Sequence, residues 1–123
     1  MELAISTTPE QAVDHQALDN LKAIGGDDPA FVSEMIELFL EQAPRHLDTI
    51  RSALAAGDAL AITKAAHHVK SSSFYLGARR LSALCAQTET LARTGNAIAV
   101  TELITAMMVE FEMVRRALRA QDA

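Results

Sequence analysis

Ala66-His67-His68-Val69-Lys70-Ser71-Ser72-Ser73, running on into Phe74-Tyr75-Leu76-Gly77-Ala78, is the stretch whose reading decides the fold. Two histidines, a lysine and three serines interrupt what is otherwise an amphipathic helix. Apolar or small side chains at Ile62, Ala65, Ala66, Val69, Ser73 and Leu76 keep the three-and-four spacing of a buried helical face. At about 100° per residue, His67 falls roughly 140° from the centre of that face and His68 roughly 120° away on the other side. Both imidazoles are therefore expected to reach water. Lys70 at i+3, Ser71 at i+4 and Phe74 at i+7 share a surface patch with His67, because residues three and four apart are helical neighbours. An ammonium there would repel a protonated imidazole but favour an imidazole nitrogen carrying a dianionic phosphoryl group. His68 has only serines at i+3 and i+4. Chemistry at this stretch is assigned to His67.

Working outward, Asp58 is a cap for this helix and Gly77 its stop. Upstream, Asp28-Pro29 opens a long helix whose seam is Val32, Ile36, Phe39, Ala43, Leu47, Ile50 and Leu54, ending at Gly57. Pro44 is expected to bend that helix rather than end it, since the periodicity runs through. His46, one position beside the seam, reads as a boundary residue. Asp14 caps a short helix with Ala17, Leu18, Leu21 and Ile24 on one face, closed by Gly25-Gly26. His15 in its first turn reads as a solvated surface residue. Residues 1–13 show no sustained periodicity and are expected to be a flexible lead-in to a single domain spanning 14–123.

Downstream, a helix over about 79–93 buries Leu81, Leu84, Cys85, Thr88 and Ala92. Glu89 lies about 80° off the middle of that face, at its margin, where it could equally be a solvated flank. Cys85 reads as a core residue rather than a nucleophile. After Thr94-Gly95-Asn96, a closing helix carries the seam Val100, Ile104, Met107, Phe111, Val114 and Leu118, with Met107, Met108 and Met113 as core filler. Four long helices with short connections make an all-α, antiparallel up-down four-helix bundle, with the short first helix packed over one end.

Composition narrows the function. Half of the 123 residues are hydrophobic but only 4% are aromatic, so the core is aliphatic. Eleven Lys and Arg against sixteen Asp and Glu give a net charge of −5, which argues against a nucleic-acid-binding face. A lone cysteine excludes an internal disulfide and fits a reducing compartment. No apolar run approaches the length of a membrane span. Met1-Glu2-Leu3-Ala4 lacks the basic and apolar regions of a signal peptide, so a cytoplasmic protein is expected. No histidine has a glutamate three residues before it, as the di-iron bundles require, and His67 and His68 diverge around the helix; no metal site is expected. There is no Gly-rich phosphate loop for a kinase and no Gly-x-Ser-x-Gly elbow for a hydrolase.

Ala66-His67-x-Val69-Lys70-x-Ser72, then Leu76-Gly77-Ala78, Leu81, Leu84-Cys85 and Glu89, resembles the signature of histidine-containing phosphotransfer (HPt) domains of two-component phosphorelays. Asp14-x-x-x-Leu18-x-x-Leu21, Gly25-Gly26-Asp27, Phe39-Leu40-Glu41-Gln42-Ala43-Pro44 and Ala55-Ala56-Gly57-Asp58 are similar to flanking parts of the family, so the resemblance covers about residues 14–93. The family usually has glycine after the lysine, where this chain has Ser71. The resemblance implies that His67 is the phosphoacceptor and that Lys70 stabilises the phosphoryl charge, with Glu89 orienting the His67 ring. It implies a phosphoryl carrier, not an enzyme with its own kinase or ATP site. The partner would be a response-regulator receiver domain, a hybrid sensor histidine kinase or both, meeting Lys64, Ser71 and Phe74. No cofactor is implied, because the receiver would bring the Mg²⁺. A monomer is expected, with no nucleic-acid or membrane partner. The alternative is a non-phosphorylated helical adaptor whose surface histidines are incidental. Lys70 is read as exposed, so that Lys70→Ala would cost less than about 0.5 kcal/mol.

Overall fold

A computed structural model describes residues 7–26 and 28–122. These form α1 (His15–Ile24), α2 (Pro29–Ala56), α3 (Ala59–Tyr75), α4 (Arg79–Arg93) and α5 (Ala97–Asp122), and the described residues contain no strand. Each start has a local cause. Asp14, Asp28 and Asp58 accept hydrogen bonds from the backbone N–H groups of Gln16, Ala30 and Ala61, each at 3.0 Å, satisfying donors a helix cannot pair internally. Asn96 does the same for α5, accepting from Ala99 N at 3.1 Å. Pro44 lies inside α2, which continues through it to Ala56. Gly57 then ends α2 in the left-handed region at φ 70°, which costs a side-chain-bearing residue but not glycine.

Helices α2 to α5 form a closed ring in which α2 packs on α3, α3 on α4, α4 on α5 and α5 on α2. Two- and three-residue turns make the neighbours antiparallel, giving the up-down bundle. The expected seams fill its interior: Ile36, Phe39, Leu47 and Ile50 from α2, Ile62, Ala66 and Val69 from α3, Leu81, Leu84 and Cys85 from α4, Val100, Met107, Val114 and Leu118 from α5. Phe111 is only half-buried, its ring 5.8 Å from that of Phe39, and Met108 is exposed rather than filling the core.

Helix α1 packs on α2 and α3 and covers the end where α3 turns into α4. Gly77 makes this possible. Its φ is +82°, and a Cβ there would lie 2.6 Å from the Asp14 carbonyl oxygen and 2.9 Å from Ala17 Cβ. Asp14 N donates to the Gly77 carbonyl at 2.9 Å, and Arg79 pairs with the Asp14 carboxylate at 2.9 Å. Hydrogen bonding from Gln16 N, and then from Arg79, holds the Asp14 carboxyl below its ordinary range. Ile24, expected on the buried face of α1, is exposed.

Of residues 1–13, expected to be a flexible lead-in, residues 7–13 pack in part against the bundle, and residues 1–6 lie outside the described part. Ala12 and Val13 are buried in the core. Thr7 donates through its backbone N (3.1 Å) and its hydroxyl (2.5 Å) to the two oxygens of Glu110. Glu110 is fully buried in α5, with Arg80 Nε 3.5 Å from Oε1. Two apolar residues and one hydroxyl carry no periodicity, so a pattern search passes over them.

Candidate functional site

The closest helix pair of the ring, α3 and α4, builds the site. Ala65, Ala66, Val69 and Ser73 keep the contact face of α3 low, and α4 lays Leu81, Leu84, Cys85 and Thr88 against the core. Ser73, too polar for its place, donates internally to the Val69 carbonyl at 2.5 Å. Ser82 Oγ donates across to the Lys70 carbonyl at 3.0 Å, tying the backbone beneath Lys70 to α4. Close packing brings the margin of α4, where Glu89 sits, under the histidine-bearing face of α3.

His67 stands outward, its side chain 59% exposed, with Nδ1 3.7 Å from Glu89 Oε1. Lys70 Nζ is 2.7 Å from the same oxygen. That contact is a close ion pair rather than an aligned hydrogen bond. The second carboxylate oxygen, Oε2, faces an Arg93 guanidinium nitrogen at 3.7 Å. Glu89 is therefore no solvated flank. Its side chain is only 8% exposed, and a carboxylate so placed needs compensating cations. Lys70 is not the free surface lysine expected either: it is 32% exposed and paired. One turn before Glu89, Cys85 is buried, and burial and then the Glu89 charge push its thiol up to about 12. It stays protonated and is no nucleophile.

The sequence-expected trio of His67, Lys70 and Glu89 is thus assembled around one carboxylate oxygen. Lys64 and Phe74 are exposed on α3 to either side, and Ser71 is half-buried. Phe74 meets Tyr75 edge-on at 6.1 Å, and the Arg79 guanidinium lies 5.9 Å from its ring centre. Two features escape the sequence reading. Arg93 is the first, although a glutamate four residues before an arginine on one helix is itself a pairing signal. The second is His46 on α2, which stacks on His68 with ring centres 4.8 Å apart and planes 9° from parallel. That stack borders an apolar groove of about 210 Å³ between α2 and α3, lined also by Leu38, Phe39 and Tyr75. His68 lines this groove; His67 does not. Among the described residues no three His, Cys, Asp or Glu side chains are grouped to hold a metal ion, and no helix is long and apolar enough to cross a membrane.

Comparison with known proteins places this geometry. The family model described as the Hpt domain matches residues 34–121, a span that contains His67, Lys70, Glu89 and Arg93. The chain belongs to the Hpt domain family. The match begins inside α2 and runs nearly to the end of α5. Among solved structures, this Hpt domain is similar to histidine-containing phosphotransfer protein B (HptB) from Pseudomonas aeruginosa. The TM-score is 0.82 with 29% identity, over 90% of this chain and 94% of that one. It is also similar to a maize histidine-containing phosphotransfer protein, with a TM-score of 0.79 and 26% identity over 90% and 83% of the two chains. No curated protein matches it by sequence. Membership of this family gives the Hpt domain a histidine phosphotransfer role in a phosphorelay.

Proposed function

We propose that His67 accepts a phosphoryl group from the phospho-aspartate of a receiver domain and passes it to the aspartate of another. The observation that carries this reading is the shared oxygen of Glu89, which lies 3.7 Å from Nδ1 of an exposed imidazole and 2.7 Å from the ammonium of Lys70. A carboxylate beside Nδ1 favours the tautomer with its proton there, leaving the Nε2 lone pair to react. In the forward step Nε2 forms the bond to phosphorus, the bond from phosphorus to the aspartyl oxygen breaks, and the aspartate leaves as a carboxylate. The Nδ1 proton stays in place, and Glu89 compensates the positive ring that results. Lys70 supplies the cation for the phosphoryl oxygens. The reverse step needs no proton to move, which suits a carrier that both accepts and donates.

The Hpt domain supplies position and charge, while the receiver brings the Mg²⁺ and the acidic pocket. It works in the cytoplasm as a monomer without kinase activity of its own, serving a response regulator, a hybrid sensor histidine kinase or both. Lys64, Ser71 and Phe74 line the approach to His67. The test is acid-labile phosphate uptake from a phosphorylated receiver. His67→Gln abolishes it and His68→Gln retains most of it. Uptake that survives in His67→Gln and is lost in His68→Gln moves the acceptor to His68, and no uptake by the unmodified protein assigns the molecule instead to a non-phosphorylated adaptor.

A further inference from the structure

Glu89 has two oxygens and three basic neighbours, and the reaction needs one of those neighbours elsewhere. Lys70 lies against Oε1 at 2.7 Å, so in the unphosphorylated protein its charge is committed to Glu89. A phosphoryl group on His67 brings two negative charges to the same patch, one turn of α3 from Lys70. A lysine that turns toward it withdraws the main counter-charge from a carboxylate 8% exposed. Arg93 is placed to replace it. It sits four residues after Glu89 on α4, its nitrogen 3.7 Å from Oε2, and its side chain is 64% exposed and free to close in. A guanidinium can take both carboxylate oxygens in a fork, whereas an ammonium is a compact point charge on a mobile stem.

We propose that Arg93 is a positioning residue for phosphotransfer: it holds the charge of Glu89 when Lys70 leaves that carboxylate for the phosphoryl group on His67. The inference rests on the reading of His67 given above. Lys70 is then a cation exchanged between two anions, and Arg93 sets how readily it is released. Arg93 acts through Glu89 and touches no reacting atom.

The experiment measures the rate of phosphoryl transfer from a phosphorylated receiver to the intact chain. Arg93→Gln is expected to slow transfer about tenfold, a coupling of the size found between neighbouring charged groups. Arg93→Lys recovers part of the loss. In a Glu89→Gln background, where no charge needs holding, Arg93→Gln changes the rate less than about twofold, as non-additivity of coupled residues requires. Circular dichroism melting checks that each variant is folded, and Arg93 is exposed enough for the single variant to fold. ¹⁵N spectra of the lysine side chains give a second readout. The Lys70 ammonium shifts on phosphorylation of the unmodified protein and shifts less in Arg93→Gln. An unchanged rate in Arg93→Gln overturns the proposal. So does the same slowing in both backgrounds, which would place Arg93 in direct contact with the receiver. If the unmodified protein takes up no phosphate on His67, it is the reading of His67 that has failed.

Discussion

At the scale of single residues, Glu89 decides what the neighbouring side chains can do. A carboxylate at the margin of a helix face is ordinarily solvated, but here α3 closes over it and leaves Lys70 as its nearest cation. Removing Lys70 therefore does two things. It takes away the charge proposed to meet the phosphoryl group, and it leaves Glu89 with Arg93 and the His67 ring, each 3.7 Å away. Lys70→Ala is expected to slow phosphotransfer and also to destabilise the fold by about 1–2 kcal/mol, as for other buried polar groups deprived of a partner. This exceeds what a surface lysine would cost. Urea denaturation of Lys70→Ala and of Lys70→Ala with Glu89→Gln tests it. The second change should restore most of the lost stability by removing the buried charge, while transfer stays slow.

Among the elements, the contacts of α3 with α1 and with α2 differ in kind. Its C-terminal turn is held to α1 by backbone, and Gly77 is the residue that permits it. Gly77→Ala places a Cβ 2.6 Å from the Asp14 carbonyl at φ +82°. A cost of about 2–4 kcal/mol is expected from left-handed strain and overpacking together. Gly57→Ala, at φ +70° with nothing near the added carbon, should cost only about 1–2 kcal/mol of the same strain. A pair of thermal melts compares them, and equal losses would deny the close approach of α1. The flank of α3 against α2 is instead a pair of stacked imidazoles. Burial, and then the neighbouring His68, hold His46 below its ordinary value of 6.5. A histidine with a depressed folded pKa binds its proton less readily than in the unfolded chain. Stability from His46 is thus intact above about pH 6.5 and lost as pH falls through the lowered folded value. Melting temperature followed from pH 7.5 to 5 should decline less steeply in His46→Gln than in the unmodified protein.

For the whole molecule, the closed ring of four helices gains a further contact between Thr7 and Glu110, far apart in the chain. Thr7 satisfies both oxygens of the buried Glu110, and Ala12 and Val13 seal the segment onto the core. Thr7→Val is expected to cost about 1–2 kcal/mol, the penalty of a buried acceptor losing a donor, while phosphotransfer at His67 is unchanged. Denaturant melts and transfer rates measured on that variant check both halves. Much of this architecture was legible in advance, for a physical reason. Helix seams, aspartate caps and stop glycines are local, so the fold class, the helix limits and the outward aim of His67 follow from spacing along the chain. The identity of Lys70 and Ser71 around His67 is local as well. Burial of a margin residue is not. Glu89 became a buried anion, Lys70 its partner and Arg93 their neighbour only when α3 and α4 packed closely. Glu110 found Thr7 only because the fold brings Thr7 back against α5. Periodicity reports which face of a helix is apolar. How far a neighbouring helix closes over the edge of that face depends on side chains distant in sequence, and the tertiary structure alone decides it.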